Sequence, residues 1–116
     1  MNNSKAGLLP QVTFGILFAL SAKPLYGYAL IQQIRHDSTG KVKLGPGALY
    51  GTLKRLADQG YIEELPFEEA SERRRYYRLT RKGWNALSDE LEYYENITRL
   101  GQERGLLHGG TITSRL

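Results

Sequence analysis

The sequence contains no cysteine and only two histidines, His36 and His108, among its 116 residues. Without thiols the chain cannot form a disulfide framework, a thiolate zinc site or a cysteine nucleophile. Two histidines far apart in sequence supply too few ligands for a typical metal centre, so we expect no metal and no cofactor. No Gly-rich phosphate loop, Ser-His-Asp set or motif-borne carboxylate pair is present, so the sequence does not indicate an enzyme.

Long apolar runs are missing as well. No apolar stretch approaches the ~20 residues that a membrane-spanning helix requires, and residues 1–7 lack the apolar core of a signal peptide. We therefore expect a cytoplasmic protein without a membrane partner. A chain of this length is expected to fold as one domain.

The charges are unevenly distributed, although the net charge is only +4. Residues 1–60 carry seven Lys or Arg and two acidic residues, a balance of +5, whereas residues 84–116 carry three and five, a balance of −2. Residues 61–83 carry six and five. The basic N-terminal half is typical of a protein that binds a polyanion on one face. The acidic C-terminal part indicates a different role for that part of the chain.

The apolar spacing predicts three helices, two short strands and a last helix. The predicted spans are 8–21, 25–35 and 46–59 for the first three helices, 61–65 and 73–79 for the strands, and 81–100 for the last helix. Pro24 separates the first two helices, Gly60 suits a left-handed stop after the third, and Thr80 is a suitable N-cap for the last.

Three helices followed by a hairpin describe a winged helix-turn-helix, a mainly helical fold with a small β-hairpin. Such a DNA-binding domain is predicted to cover residues 8–80, followed by a C-terminal dimerisation helix over 81–104. The terminal segments 1–7 and 105–116 are predicted to be flexible.

The third predicted helix has two different faces. One is apolar and includes Leu49, Leu53, Leu56 and Ala57, whereas the other is slim and polar and includes Gly47, Tyr50, Gly51, Lys54 and Asp58. Glycine on an exposed helix costs ~1 kcal/mol relative to alanine. Close approach to another large surface would offset that cost, and packing against a neighbouring helix is the alternative. The slim face fits a major groove, which is ~12 Å wide.

Basic residues flank this face. Lys41 and Lys43 precede the helix, and three consecutive arginines, Arg73-Arg74-Arg75, stand in the second predicted strand. Salt bridges to nearby acids are the alternative explanation of the arginines; those acids are Glu68, Glu69 and Glu72. Because alternate strand side chains face opposite ways, we expect either Arg74, or Arg73 with Arg75, to face DNA. The predicted DNA-binding residues are Lys41, Lys43, Pro46, Gly47, Tyr50, Gly51, Lys54, Arg73, Arg74 and Arg75.

The last helix carries two apolar stripes. The spacing of 3, 4 and 3 along Trp84, Leu87, Leu91 and Tyr94 is typical of a coiled-coil seam, and a second stripe runs beside it. One stripe can pack in its own domain and the other on a second subunit, although both could pack in one domain. The predicted dimerisation residues are Trp84, Leu87, Leu91, Tyr94, Ile97 and Leu100. A candidate pocket for a small aromatic or hydrophobic effector comprises Phe14, Tyr93 and Tyr94, with ordinary dimer core as the alternative.

Three stretches resemble the PadR-type transcriptional regulators, the phenolic-acid-decarboxylase regulator family. Residues 24–30 are similar to the family's Pro-x-x-Gly-Tyr-x-Ile entry to its second helix. Residues 47–56 with 60–62 resemble its recognition helix and following strand, and residues 73–80 with Gly83 resemble its wing strand. The family commonly has Ser-Pro-Gly-Thr where this chain has Gly45-Pro46-Gly47-Ala48, so contacts at 45 and 48 are not carried over.

The resemblance implies a homodimer that binds a palindromic operator in double-stranded DNA and represses transcription until a small molecule releases it. The competing interpretation is a winged helix used for protein–protein contact. Such a module would keep the core pattern but would not need Lys54 and the arginines on one surface.

Overall fold

The computed structural model describes residues 7–66 and 74–108. The elements along the chain are α1 (Gln11–Leu20), β1 (Leu25–Tyr26), α2 (Gly27–Asp37), α3 (Pro46–Asp58), β2 (Ile62–Glu64), β3 (Tyr76–Leu79) and α4 (Arg81–Glu103). The strands form an antiparallel sheet in the order β1-β3-β2. The predicted fold, a mainly helical winged helix-turn-helix, is confirmed; the wing is the hairpin formed by β2 and β3.

The core lies where the first three helices meet the sheet. Its fully buried side chains come from α1, α2, α3 and β2, and are Ile16, Leu17, Leu30, Ile34, Leu49, Leu53, Leu56 and Ile62. Burial of each such side chain contributes about 1.5–3 kcal/mol. Because three leucines hold α3 on one side, its opposite side faces outward, as the sequence predicts. Ala57 is exposed, so its predicted place on the buried face is wrong.

Strand β1 is the clearest departure from the sequence prediction. Leu25 and Tyr26 are predicted as the start of the second helix, but they pair with Tyr77 and Tyr76 of β3, and α2 begins at Gly27. The pairing partners lie about fifty residues further along the chain, so the local pattern does not reveal them. The pairing connects the wing directly to the start of α2.

Several predicted features lie outside the described residues. These are residues 1–6 and 109–116 of the terminal segments, and residues 67–73, which include Arg73 and the three glutamates proposed as its partners. The last helix continues three residues beyond its predicted end, and Gly105 closes it with φ +79°. Leu106 N–H donates to the carbonyl of Gly101 at 2.8 Å, the bond of a Schellman cap. Among the described residues, none of the helices is long and apolar enough to cross a bilayer.

The start of α4 packs against the backbone of Tyr61, the residue that precedes β2. Thr80 accepts a hydrogen bond from Gly83 N–H at 3.1 Å, which confirms it as the N-cap. Its own N–H donates to the carbonyl of Tyr61 at 3.1 Å. A Cβ at Gly83 would overlap that same carbonyl oxygen, so only glycine permits this approach.

We expect Gly83→Ala to lower the free energy of unfolding by about 2–4 kcal/mol, because the obstacle is backbone and cannot rotate away. Urea unfolding measures the change. Gly101→Ala in the same helix is the matched control, since its Cβ would meet only the Leu107 side chain at an ordinary 3.5 Å. That control should be neutral or slightly stabilising. Equal effects of the two substitutions would contradict this account of the junction.

Candidate nucleic-acid interface

The outward face of α3 is open. Gly47, Tyr50, Gly51, Lys54 and Asp58 are all exposed, as predicted from the helical spacing. In the described part of the chain, nothing lies within 4 Å of a Cβ placed at Gly47 or Gly51. Within one protomer, therefore, neighbouring-helix packing does not offset the cost of these two glycines.

Tyr50 leans from α3 onto the start of α2. A Cβ at Gly27 would overlap the Tyr50 hydroxyl, so the phenol lies directly against the Gly27 backbone. Tyr50 still remains 48% exposed. The absence of a side chain at the buried Gly27 thus determines where a residue of the α3 face sits, a role that sequence analysis missed.

The arginines of the wing have different partners. The Arg74 guanidinium stacks over the Tyr26 ring, 4.3 Å from its centroid, whereas Arg75 Nε lies 3.7 Å from Glu64 Oε2. Arg78 Nε donates to Glu63 Oε2 at 2.7 Å across the β2–β3 register. The glutamates that pair with Arg75 and Arg78 therefore belong to β2, and Arg73 lies outside the described residues.

One open cleft of about 430 Å³ lies where Arg74 and Arg75 meet the α3 face and the start of α2. Its lining residues are Tyr26, Gly27, Tyr28, Tyr50, Arg74 and Arg75. The guanidinium groups among them match the geometry of phosphate oxygens. Near the cleft the pKa of Tyr77 is raised, first by burial and then by the Glu64 carboxylate, while Arg75 partly opposes the shift.

The remaining predicted DNA-binding residues are exposed and lie in α3 or just before it. Lys41, Lys43 and Pro46 are exposed, and α3 begins at Pro46 with Gly45 as N-cap and no capping side chain. Lys54 Nζ lies 3.5 Å from Asp58 Oδ2. Both groups are highly exposed, so this ion pair contributes little and Lys54 can exchange it for an external anion.

A model of the transcriptional regulator PadR-like family matches residues 16–89. The chain belongs to this family. The matched region contains all the lining residues of the cleft, and the family consists of transcriptional regulators, not enzymes. No curated protein sequence matches the chain.

Solved structures of similar fold include other PadR regulators. A transcriptional regulator from Clostridium thermocellum is 27% identical with TM-score 0.64, covering 79% of this chain and 87% of that one. A PadR family regulator from Clostridium difficile is 25% identical with TM-score 0.68, covering 81% and 97%. Bacillus subtilis PadR, solved with operator DNA, is 23% identical with TM-score 0.63, covering 73% and 48%. The last likeness concerns the fold alone.

In this PadR-like chain the buried residues of α4 all lie in its first part. Its buried residues are Gly83, Leu87 and Glu90, and beyond them the helix is exposed apart from the half-buried Leu100 and Gly101. Leu87 is 3% exposed and packs inside the protomer, so it offers no surface to a second subunit. The predicted seam is therefore interrupted at Leu87. The other predicted dimerisation residues keep exposed surface; they are Trp84, Leu91, Tyr94, Ile97 and, in part, Leu100.

The three candidate effector residues lie in one aromatic cluster between α1 and α4. The Phe14 and Tyr94 ring centroids are 5.6 Å apart in an edge-to-face arrangement, and those of Tyr93 and Tyr94 are 5.3 Å apart. The Tyr94 hydroxyl donates to Glu90 Oε2 at 3.2 Å. Loss of hydration raises the pKa of Tyr94, and the Glu90 carboxylate raises it further.

Glu90 is a structural residue that sequence analysis missed. The residue is 6% exposed, and its carboxylate also accepts the backbone N–H of Leu9 at 3.1 and 3.2 Å. These bonds satisfy a charge that burial would otherwise make costly. They connect the segment before α1 to the middle of α4, next to the aromatic cluster.

Proposed function

We propose that this PadR-like chain is a sequence-specific DNA-binding regulator that represses transcription from a palindromic operator as a homodimer. The observation that carries the proposal is the adjacency of two features at one cleft. Tyr50, on the slim face of α3, and Arg74 of the wing line the same opening. A narrow helix face enters the major groove and reads base edges, while a neighbouring arginine binds the backbone.

The wing positions the protein on DNA more than it reads sequence. Arg74 stacks on Tyr26 at the cleft, and Arg75 has Glu64 as its neighbour. Both arginines line the cleft, and the position of Arg74 over the Tyr26 ring supports a backbone contact by Arg74. Arginine is permanently charged and binds phosphate through paired N–H groups.

The dimer forms through the exposed apolar part of α4. Leu91 of the first apolar stripe and Ile97 of the second are 39% and 45% exposed, although apolar stripes at helical spacing are typical of buried faces. A second copy of α4 would cover them. The adjacent cluster of Phe14, Tyr93 and Tyr94 is the proposed site for a small aromatic or hydrophobic effector that releases the DNA.

A mobility-shift assay tests this function. The full chain is titrated onto the DNA upstream of its own coding sequence and onto a random duplex of equal length. Specific regulators bind their sites at least ~10³-fold more tightly than random DNA, and we expect a difference of that order. Equal affinities for the two duplexes would favour the protein–protein module instead.

Arg74→Ala is expected to weaken binding to operator and random DNA by similar factors, because phosphates carry no sequence information. Each lost phosphate contact should reduce the magnitude of the log–log salt slope by ~0.9. Arg78→Ala is the matched control, with a smaller effect because Arg78 does not line the cleft and is paired with Glu63. Affinity is measured against salt concentration. A loss confined to the operator, with an unchanged slope, would mean that Arg74 reads bases or groove shape.

A further inference from the structure

The Tyr26 ring has a contact on the wing that its place in the sequence does not suggest. Arg74 stacks over it at 4.3 Å, and the Tyr76 ring packs against it at 5.4 Å with an interplanar angle of 60°. Tyr26 and Tyr76 are register partners in the β1–β3 pair. The sheet itself therefore fixes the position of the ring that carries the Arg74 guanidinium.

We propose that Tyr26 is a positioning residue for DNA binding: it holds the Arg74 guanidinium at the rim of the cleft, where the guanidinium binds a phosphate of the DNA backbone. This inference rests on the proposed function. Tyr26 acts through Arg74 and does not itself need to touch DNA. β1 thereby connects the wing arginine to the helical part of the domain.

The chemistry of arginine explains why such a support matters. A long, exposed arginine loses much rotamer freedom when it binds one phosphate, and prior ordering on a ring reduces that loss. A cation–π contact acts between the guanidinium charge and the face of the ring, whereas phosphate is bound through the N–H groups of the guanidinium. The two contacts are therefore compatible. Leucine at position 26 would remove the ring, whereas phenylalanine would keep it.

The contact between Tyr26 and Arg74 lies beside the helix face that we propose enters the groove. Tyr26, Arg74 and Tyr50 line the same cleft, and Tyr50 belongs to the exposed face of α3. A phosphate bound by Arg74 would therefore flank the helix that enters the groove. The arrangement fixes the distance between base reading and backbone binding through the β1–β3 pairing.

The experiment is a double-mutant cycle on the full chain with a random-sequence duplex, because a phosphate contact does not depend on sequence. The variants are Tyr26→Leu, Tyr26→Phe, Arg74→Ala and Tyr26→Leu with Arg74→Ala. Binding is followed by fluorescence anisotropy over a range of salt concentrations. Thermal unfolding is measured for each variant, and Tyr26→Met replaces Tyr26→Leu if the latter unfolds at the assay temperature.

We expect Tyr26→Phe to bind like the unsubstituted chain and Tyr26→Leu to bind about two- to fivefold more weakly per subunit, the effect of an exposed cation–π contact. In the Arg74→Ala background, Tyr26→Leu should cause no further loss. A purely structural role would lower affinity equally in both backgrounds. That additive result, or unchanged affinity of Tyr26→Leu, would overturn the inference.

Different results would contradict the proposed function and the positioning role of Tyr26. If operator and random DNA are bound equally but the cycle shows coupling, the positioning role holds and sequence-specific regulation is wrong. If the operator is preferred but the effects of the Tyr26 and Arg74 substitutions add, the proposed regulatory function holds and the positioning role of Tyr26 is wrong. Absence of binding to either duplex would overturn both.

Discussion

Gly51→Leu is expected to abolish specific operator binding, with a loss of at least ~10²-fold in affinity, while leaving the fold intact. Gly51 is exposed in the middle of α3, and nothing in the described structure lies within 4 Å of a Cβ there. A leucine therefore meets no obstacle in the free protein. In the complex it would stand between the helix and the floor of the major groove.

The stability of the same variant separates this explanation from misfolding. Leucine has a better helix propensity than glycine by ~0.8 kcal/mol, so Gly51→Leu should unfold at slightly higher urea concentration. Ala57→Leu is the matched control, since Ala57 is also exposed on α3 but lies near its C-terminal end. The control should retain operator affinity. Operator binding by Gly51→Leu as tight as that of the unsubstituted chain would rule out the docking of α3 in the groove.

The second large effect is expected from charge placed on the exposed apolar part of α4. Leu91→Lys combined with Ile97→Lys should convert the proposed dimer to a monomer, because four like charges would face each other across a desolvated interface. Operator affinity should fall by ~10²-fold or more, since binding of the second half-site would no longer be intramolecular. Sedimentation equilibrium gives the oligomeric state, and anisotropy gives the affinity.

Asn85→Lys combined with Ser88→Lys adds the same charge to exposed polar positions of α4 and serves as the control. It should remain dimeric and bind the operator normally. A Leu91→Lys, Ile97→Lys chain that stays dimeric would place the subunit contact elsewhere. An unsubstituted chain that sediments as a stable monomer at micromolar concentration would remove the dimer from the proposal.

Features that depend on local chemistry could be predicted from the sequence. The leucines of α3 define its buried side by spacing alone, and Gly60 indeed has φ +85° just after the helix. The Thr80 cap is a local hydrogen bond to Gly83, three residues away. Each of these features is determined by residues within one or two helical turns, so the local sequence is sufficient to predict it.

Features that depend on distant partners could not be predicted in the same way. The two residues of β1 are extended because β3 pairs with them, although their local context favours helix. Leu87 fits a coiled-coil seam by spacing, but the packing of α4 on the core buries it. The stacking of Arg74 on Tyr26 joins residues nearly fifty positions apart, and no local pattern marks it.

Hydroxyl-radical footprinting of the full chain on the DNA upstream of its own coding sequence tests whether two copies of α3 bind a palindromic operator. A dimer that places one α3 in each of two major grooves should protect two symmetry-related half-sites, ~10 bp apart or a multiple of that spacing. We expect this paired protection inside an inverted repeat. Uniform protection, or a single unsymmetrical footprint, would contradict it.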